Sequence, residues 1–164
     1  MTKSKDNFLP YYNQFKDKIY NYYLYRVGFD RLLAEDLTSE VFIKALKSFN
    51  DFDKSKKFQS WIYMIAHNHL VNHYKLSKHL VPLESVEDYL QYMDNNGEIN
   101  YELGRVLKII DKMEETDRNV LQLKFVDDLD NQEIAEVLQK EEGTIRTQIS
   151  RSVTKLREIL NNNS

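Results

Sequence analysis

Two long segments of this sequence contain neither glycine nor proline, the residues that most readily end a helix. They lie between Gly28 and Pro82 and between Gly104 and Gly143, and the 164-residue chain has only four glycines and two prolines. Such a composition is poor in the tight turns that a sheet-based fold requires. Apolar residues in both segments recur every three or four positions, the period of a helix with one buried face. The sequence therefore predicts an all-α protein.

Cysteine is absent, which excludes a disulfide framework and any cysteine-based metal or redox site. Hydrophobic residues make up 41% of the chain and charged residues 30%, a balance typical of a folded protein. The N-terminal residues lack the apolar core of a signal peptide, and no apolar run approaches the roughly 20 residues that span a bilayer. We therefore expect a cytoplasmic protein.

Charge is distributed unevenly along the chain. Residues 1–78 carry 13 Lys and Arg against 8 Asp and Glu, whereas residues 79–104 carry 6 acidic and no Lys or Arg side chains. The acidic segment also contains Pro82 and an Asn-Asn-Gly turn, which are typical of a loop. This pattern predicts two small helical domains, 1–78 and 105–164. An acidic linker over 79–104, with a short helix near Val86–Tyr92, would join them.

The first domain has three segments of helical periodicity. They are predicted over Pro10–Tyr25, Leu33–Phe49 and Trp61–Ser77, with a break at Gly28 and a loop over Asn50–Ser60. The second domain is predicted to contain four helices, over Val106–Met113, Asp117–Phe125, Asn131–Leu138 and Ile145–Leu160.

Capping residues mark two of the helix starts in the second domain. Thr116 is a suitable N-cap for the second of its four helices. Asp130 with Glu133 forms a capping-box pattern before the third.

The last two predicted helices have the pattern of a helix-turn-helix. Its core positions are Ile134, Ala135, Leu138, Ile145 and Ile149. Gln139 stands at the turn, where a left-handed backbone would cost on the order of 1 kcal/mol. Thr144 is predicted to begin the second helix, whose outward face suits the DNA major groove because Arg can bind guanine, Gln adenine, and Thr or Ser a phosphate. The predicted DNA-contacting residues are Thr144, Arg146, Thr147, Gln148, Ser150 and Arg151.

A basic and aromatic segment spans residues 54–78. Lysines stand at both ends of the segment with aromatic residues between them, and it contains no acidic residue. Cations follow a phosphate backbone and aromatic rings stack on unpaired bases, so the segment favours binding of single-stranded nucleic acid. We expect Trp61 to belong to the core and the loop Asp51–Phe58 to be functional.

His69 and His73 lie four residues apart, the spacing of two metal ligands on one helix face. No cysteine or nearby acid in the sequence completes such a site, so we expect no metal. Nothing in the chain predicts a cofactor or a small-molecule substrate. It also lacks a phosphate-binding glycine loop and a nucleophile motif, so we expect no enzyme activity.

Three segments resemble, in order, parts of bacterial sigma factors. Ala34–Phe52 resembles the polymerase-binding helix of sigma region 2, Phe58–Lys75 the promoter-melting segment, and Glu115–Leu160 sigma region 4. Their order, spacing and total length resemble the extracytoplasmic-function (ECF) sigma factors, which keep only these two domains. The resemblance implies binding to core RNA polymerase and promoter DNA, promoter-specific initiation of transcription, and an anti-sigma factor as a further candidate partner.

The resemblance also implies roles for individual residues. The residues implied in polymerase binding are Asp36, Ser39, Glu40 and Phe42. Those implied in binding the start-proximal promoter element as opened DNA are Lys56, Lys57, Phe58, Met64, His67 and Asn68. The helix Thr144–Arg151 would read the upstream element as duplex. The family usually has Gln in place of Ser39 and often Arg in place of Met64 and His67. Fewer fixed cations imply weaker DNA binding without the polymerase.

A stand-alone helix-turn-helix regulator is the alternative. It would need a sensor or dimerisation domain, but residues 1–104 show neither a glycine-rich ligand fold nor a heptad repeat. A regulator binds duplex DNA by itself, whereas a sigma factor requires core polymerase.

Overall fold

The structure, a computed structural model, describes residues 2–77 and 101–162. Within these two ranges the secondary structure is helical and no strand is present, which confirms the predicted all-α class. The chain divides into two compact units, and of the described residues one unit contains 2–77 and the other contains most of 101–162. The predicted helix at Val86–Tyr92 lies outside the described residues. Each helix in the described ranges is too short or too polar to cross a membrane.

The first unit contains three long helices. They are α1 (Thr2–Arg26), α2 (Arg31–Lys47) and α3 (Phe58–Ser77), with a 3₁₀ turn at Phe49–Asp51. Helix α1 begins eight residues before the predicted start and contains Pro10. This proline is exposed, so water can hydrate the backbone carbonyl that its missing N–H leaves unpaired.

Helix α3 begins at Phe58 rather than at Trp61, because Phe58 is itself a core residue. The Phe58 side chain is 5% exposed and its ring stacks on that of Tyr11 with 4.3 Å between centroids. Trp61, which was expected in the core, packs on Phe52 at 4.9 Å and keeps part of its surface exposed. The aromatic residues of α1 and α3 therefore share one core with the 3₁₀ turn.

Two tyrosine hydroxyls join α1 to α3. The buried Tyr23 donates to the carbonyl oxygen of Ala66 at 2.7 Å, and Tyr74 donates to that of Arg26 at 2.6 Å. Burial raises the pKa of Tyr23, so its hydroxyl keeps the proton it donates. Each bond places a polar group of an aromatic side chain against the neighbouring backbone, which fixes the register of the two helices.

The second unit contains four helices within the described residues. They are α4 (Tyr101–Lys112), α5 (Glu115–Leu121), α6 (Asn131–Leu138) and α7 (Glu142–Asn162), with a π-helical turn at Gln122–Val126 after α5. Part of its core is formed by Ile110, Met113 and Leu121, against which Val153 and Leu156 of α7 pack. The amphipathic periodicity predicted for the last helix thus corresponds to a packed face.

One of the two capping predictions is wrong and the other is confirmed. The N-cap of α5 is Glu114 rather than Thr116, and its side chain makes no capping hydrogen bond. Asp130 caps α6 as predicted, because its carboxylate accepts from the backbone N–H of Glu133 at 2.8 Å. The start of α7 at Glu142 lies two residues before the predicted Thr144.

Candidate nucleic-acid and protein interfaces

A left-handed turn connects α6 to α7. Gln139 adopts φ 55° and ψ 50°, and the backbone N–H groups of Gln139 and Lys140 both bond to the carbonyl of Ala135. This is the αL conformation that the sequence predicts at Gln139, where a side chain makes it less favourable than glycine would. The turn positions α7 so that Ile145 is fully buried, and the opposite side of the helix therefore faces outward.

The outward side of α7 carries five of the predicted DNA-contacting residues. All of Thr144, Arg146, Thr147, Ser150 and Arg151 are exposed. The Thr147 hydroxyl donates to the carbonyl of Gly143 at 3.1 Å, and the Arg146 guanidinium lies 3.5 Å from the exposed Glu142 carboxylate. An exposed pair of this kind is weak and is easily exchanged for another partner. The surface therefore offers two cations and three hydroxyls near the start of a helix.

The sixth predicted residue, Gln148, lies on the flank of α7 and is turned into the protein. Its amide nitrogen donates to the Asp117 carboxylate at 2.9 Å and to the Ser152 hydroxyl at 3.2 Å. The expectation that Gln148 belongs to the outward face is therefore corrected. A base contact by Gln148 would require both bonds to break, whereas the observed bonds hold α7 against α5.

Asp117 is the centre of this contact. It is 2% exposed and also accepts from the Ser152 hydroxyl at 2.6 Å and from the Lys155 ammonium at 3.0 Å. Burial alone would raise the pKa of Asp117, but the bonds from Ser152, Lys155 and Gln148 outweigh it and hold the pKa below its ordinary value. The carboxylate is thus kept charged inside the unit by three donors from one helix.

This network was not predicted from the sequence, although the sequence contains one signal of it. Gln148, Ser152 and Lys155 follow one another at intervals of four and three residues, which places them on one side of α7. Nothing in the local sequence marks Asp117 as their partner, since it lies more than 30 residues earlier in the chain.

Helix α2 presents a mixed acidic and apolar surface. Asp36, Ser39 and Glu40 are exposed, as are Leu32 at 75% and Ile43 at 54%. Residues 32, 36, 39 and 43 have the spacing of a single helix face. Large apolar side chains beside charged ones on one exposed face are typical of a surface that binds another protein.

Phe42, the fourth residue implied in polymerase binding, does not belong to that surface. It is 5% exposed, and its ring packs edge-on against Tyr12 at 5.0 Å and Phe8 at 6.3 Å. The structure therefore corrects its position from the interface to the core, where it holds α2 on α1.

The loop before α3 is ordered by an acidic side chain. The Asp53 carboxylate accepts from the backbone N–H of Ser55 at 3.0 Å and from its hydroxyl at 2.7 Å, and these bonds lower the pKa of Asp53. Lys56 and Lys57 follow and are exposed, as the basic segment predicts. Phe58 is buried, which corrects the expectation that its ring is available to a DNA base.

The remaining start-proximal candidates share one side of α3. His67 and Asn68 follow Met64 by three and four residues. Asn68 is exposed, and Met64 and His67 are half-buried. The lysine pair at residues 56–57 lies just before the same helix, so both groups belong to a single connected segment of the first unit.

His69 has an acidic partner that sequence proximity could not reveal. Its Nε2 lies 2.6 Å from Glu40 of α2, and its Nδ1 lies 2.8 Å from the Lys44 ammonium. This acid belongs to a neighbouring helix and lies 29 residues earlier in the chain. Among the described residues, no group of three or more His, Cys, Asp or Glu side chains is arranged to hold a metal ion.

Comparison with known proteins gives consistent matches over most of the chain. The model of sigma-70 region 2 matches residues 11–79 and that of sigma-70 region 4 matches residues 103–156. The ECF RNA polymerase sigma factor SigW of Bacillus subtilis is 31% identical, over 95% of this chain and 90% of SigW.

Two solved structures share the fold. The chain is similar to CnrH in complex with the cytosolic domain of CnrY, with a TM-score of 0.73 and 19% identity over 98% of this chain and 91% of CnrH. It is also similar to the sigma factor RpoE in complex with the anti-sigma factor NepR from Bartonella quintana, with a TM-score of 0.66 and 17% identity over 98% of both chains. Both family models match in the predicted order, and the relation to SigW extends over nearly the whole length, so the chain belongs to the ECF family of RNA polymerase sigma factors.

Proposed function

We propose that this sigma factor reads the upstream promoter element with the outward side of α7 and binds core polymerase with the exposed face of α2. As a member of its family, the chain binds core RNA polymerase and directs transcription from specific promoters. We propose here which residues of the chain bind the polymerase and which bind the promoter. Residues 1–78 and 105–164 would act as the two modules, with 79–104 as the acidic linker.

The observation that carries the proposal is the composition of the outward side of α7. Arg146 and Arg151 are exposed among the hydroxyls of Thr144, Thr147 and Ser150, directly after the turn that starts the helix. A helix fits the major groove, where its first turns reach base edges, and arginine makes two-point contacts with guanine. Threonine and serine at the same end suit phosphate oxygens, which set the register on the duplex.

The exposed face of α2 is the best candidate for the polymerase contact. Leu32 and Ile43 lie on either side of Asp36 and Ser39 along it, and Glu40 lies beside them. Exposed apolar residues supply the favourable burial, and carboxylates supply orientation and partner selection. Phe42 supports this face from within the core rather than contacting the partner.

The start-proximal element would be bound along the loop before α3 and along the first turns of that helix. Lys56 and Lys57 can follow the phosphate backbone, and the exposed Asn68 can bond to the edge of an unpaired base. Met64 and His67 flank Asn68 on the same side, where half-buried side chains can pack on a base pulled from the duplex.

Three broader properties complete the proposal. The chain acts in the cytoplasm, where bacterial RNA polymerase is found, and it recruits that enzyme without catalysing a reaction itself. RpoE, which shares the fold, was solved with an anti-sigma factor, so a protein inhibitor of this kind is a candidate partner here.

Arginine substitutions in α7 test the upstream assignment. Holoenzymes carrying Arg146→Ala or Arg151→Ala should lose about 1–3 kcal/mol of discrimination at one base pair when initiation is measured on promoters randomised upstream. Arg157→Ala is the matched control, because it removes the same kind of exposed side chain three turns after Arg146, roughly 16 Å further along the same side of α7. Equal sequence preference in the Arg146 and Arg151 variants and in the wild type would contradict the assignment.

A further inference from the structure

We infer that His69 is a positioning residue that holds Glu40 for polymerase binding, acting as a neutral imidazole with its proton on Nε2. The inference rests on the proposed role of the α2 face. His69 belongs to α3, whereas Glu40 and Lys44 lie one turn apart on α2, so a single ring contacts two charged side chains of the neighbouring helix.

The distances place His69 at the centre of a three-residue hydrogen-bond chain. Its Nε2 is 2.6 Å from Glu40 Oε2 and its Nδ1 is 2.8 Å from Lys44 Nζ. The His69 side chain is 13% exposed, but that of Glu40 is 55% exposed. The ring is therefore enclosed between the helices, while the carboxylate that it holds remains accessible to a partner.

The chemistry of the two neighbours determines the protonation of the ring. A lysine ammonium can only donate hydrogen bonds and an ionised carboxylate can only accept them. Nδ1 must therefore accept from Lys44, and Nε2 must carry the proton that is donated to Glu40. A second proton on the ring would place an N–H against the Lys44 ammonium and would break that bond.

This arrangement prepares Glu40 for binding. A carboxylate has about four acceptor sites, so a bond from His69 leaves room for donors of a partner protein. Because the side chain is already held in one geometry, less conformational freedom is lost when the partner binds. The neighbouring Asn68 lies in the segment proposed for opened DNA, so the same helix supports both surfaces.

A double-mutant cycle on core polymerase affinity tests the inference with the full-length chain. Glu40→Ala should weaken binding, and His69→Phe, which keeps an aromatic ring without its hydrogen bonds, should weaken it by about tenfold. In the Glu40→Ala background, His69→Phe should cause no further loss, because His69 acts through Glu40. His69→Gln should restore most of the affinity, since its amide can donate to Glu40 and accept from Lys44.

His73→Phe is the matched control. It makes the same substitution one turn later on α3, at a histidine whose ring contacts Tyr74, and it should leave polymerase affinity unchanged. Nitrogen-15 spectra of the free protein should show an unprotonated Nδ1 and a protonated Nε2 for His69. The opposite tautomer would overturn the inference.

The outcomes separate the inference from the proposed function. If Glu40→Ala leaves polymerase affinity unchanged, the assignment of the α2 face is wrong. If Glu40→Ala weakens binding but His69→Phe does not, or if the two losses add, the docking surface stands and the role of His69 is refuted.

Discussion

Replacing Asp117 by alanine removes the one carboxylate to which three side chains of α7 donate. The Ser152 hydroxyl is fully buried and bonds to Asp117 at 2.6 Å, and Gln148 and Lys155 bond to it at 2.9 and 3.0 Å. Hydrogen bonds to a charged group contribute about 1.5–3 kcal/mol each, and a buried donor left unpaired costs about 1–3 kcal/mol.

The net loss of stability is smaller than the sum of these contributions. Lys155 is half-exposed and can return to water, Gln148 is partly exposed, and removal of the carboxylate relieves the cost of burying its charge. We expect Asp117→Ala to destabilise the second unit by about 2–4 kcal/mol. A unit of this size has a free energy of unfolding of only about 3–9 kcal/mol, so the variant should lose a large part of it.

Urea unfolding followed by two signals measures this effect. The chain has one tryptophan, Trp61, whose fluorescence reports on the first unit, while far-UV circular dichroism reports on the helices of both. Asp117→Ala should lower the urea concentration at which the second unit unfolds in the dichroism signal, and it should leave the midpoint of the fluorescence transition unchanged. Asp117→Asn keeps one acceptor oxygen, so its stability should lie between that of Asp117→Ala and that of the wild type.

Asp111→Ala controls for loss of an exposed acid in the same unit and should change stability by less than about 0.5 kcal/mol. If Asp117→Ala is no less stable than Asp111→Ala, Asp117 does not hold α7, and the explanation given for the orientation of Gln148 fails.

Three further predictions concern separate parts of the chain. Because the pKa of Asp117 is lowered in the folded unit, the stability it contributes is present above its ordinary pKa and should be lost as the pH falls below about 4, with a smaller loss in Asp117→Asn. Gln139→Gly should stabilise the second unit by about 0.5–1 kcal/mol in urea unfolding, because glycine adopts the observed φ of 55° without strain, and a loss of stability would contradict this. Asp36→Lys should weaken core polymerase binding by about tenfold in a titration, whereas Asp17→Lys, an exposed acid on α1, should not.

Periodicity predicted the helices and one capping pattern predicted a helix start, because both depend on neighbours in sequence. The pattern around Asp130 and the break at Gly28 are local, and the structure shows both where they were expected. Boundaries differ where a tertiary contact extends a helix. Phe58 starts α3 because its ring packs on Tyr11, a residue of another helix.

The sequence predicted the motifs better than it predicted which of their side chains face outward. Phe42 and Phe58 belong to segments that resemble functional ones, but both side chains are needed in the core. Gln148 turns inward because Asp117 accepts from it, and His69 is held by Glu40, 29 residues earlier in the chain. A single sequence carries no direct signal for such long-range pairs.

Promoter-specific initiation can be measured by transcription in vitro with core RNA polymerase and a library of genomic fragments, with and without this protein. If the chain directs initiation, new start sites should appear only when the protein is added, and they should share a sequence element upstream. Start sites that do not change on addition of the protein, or that share no upstream element, would contradict it.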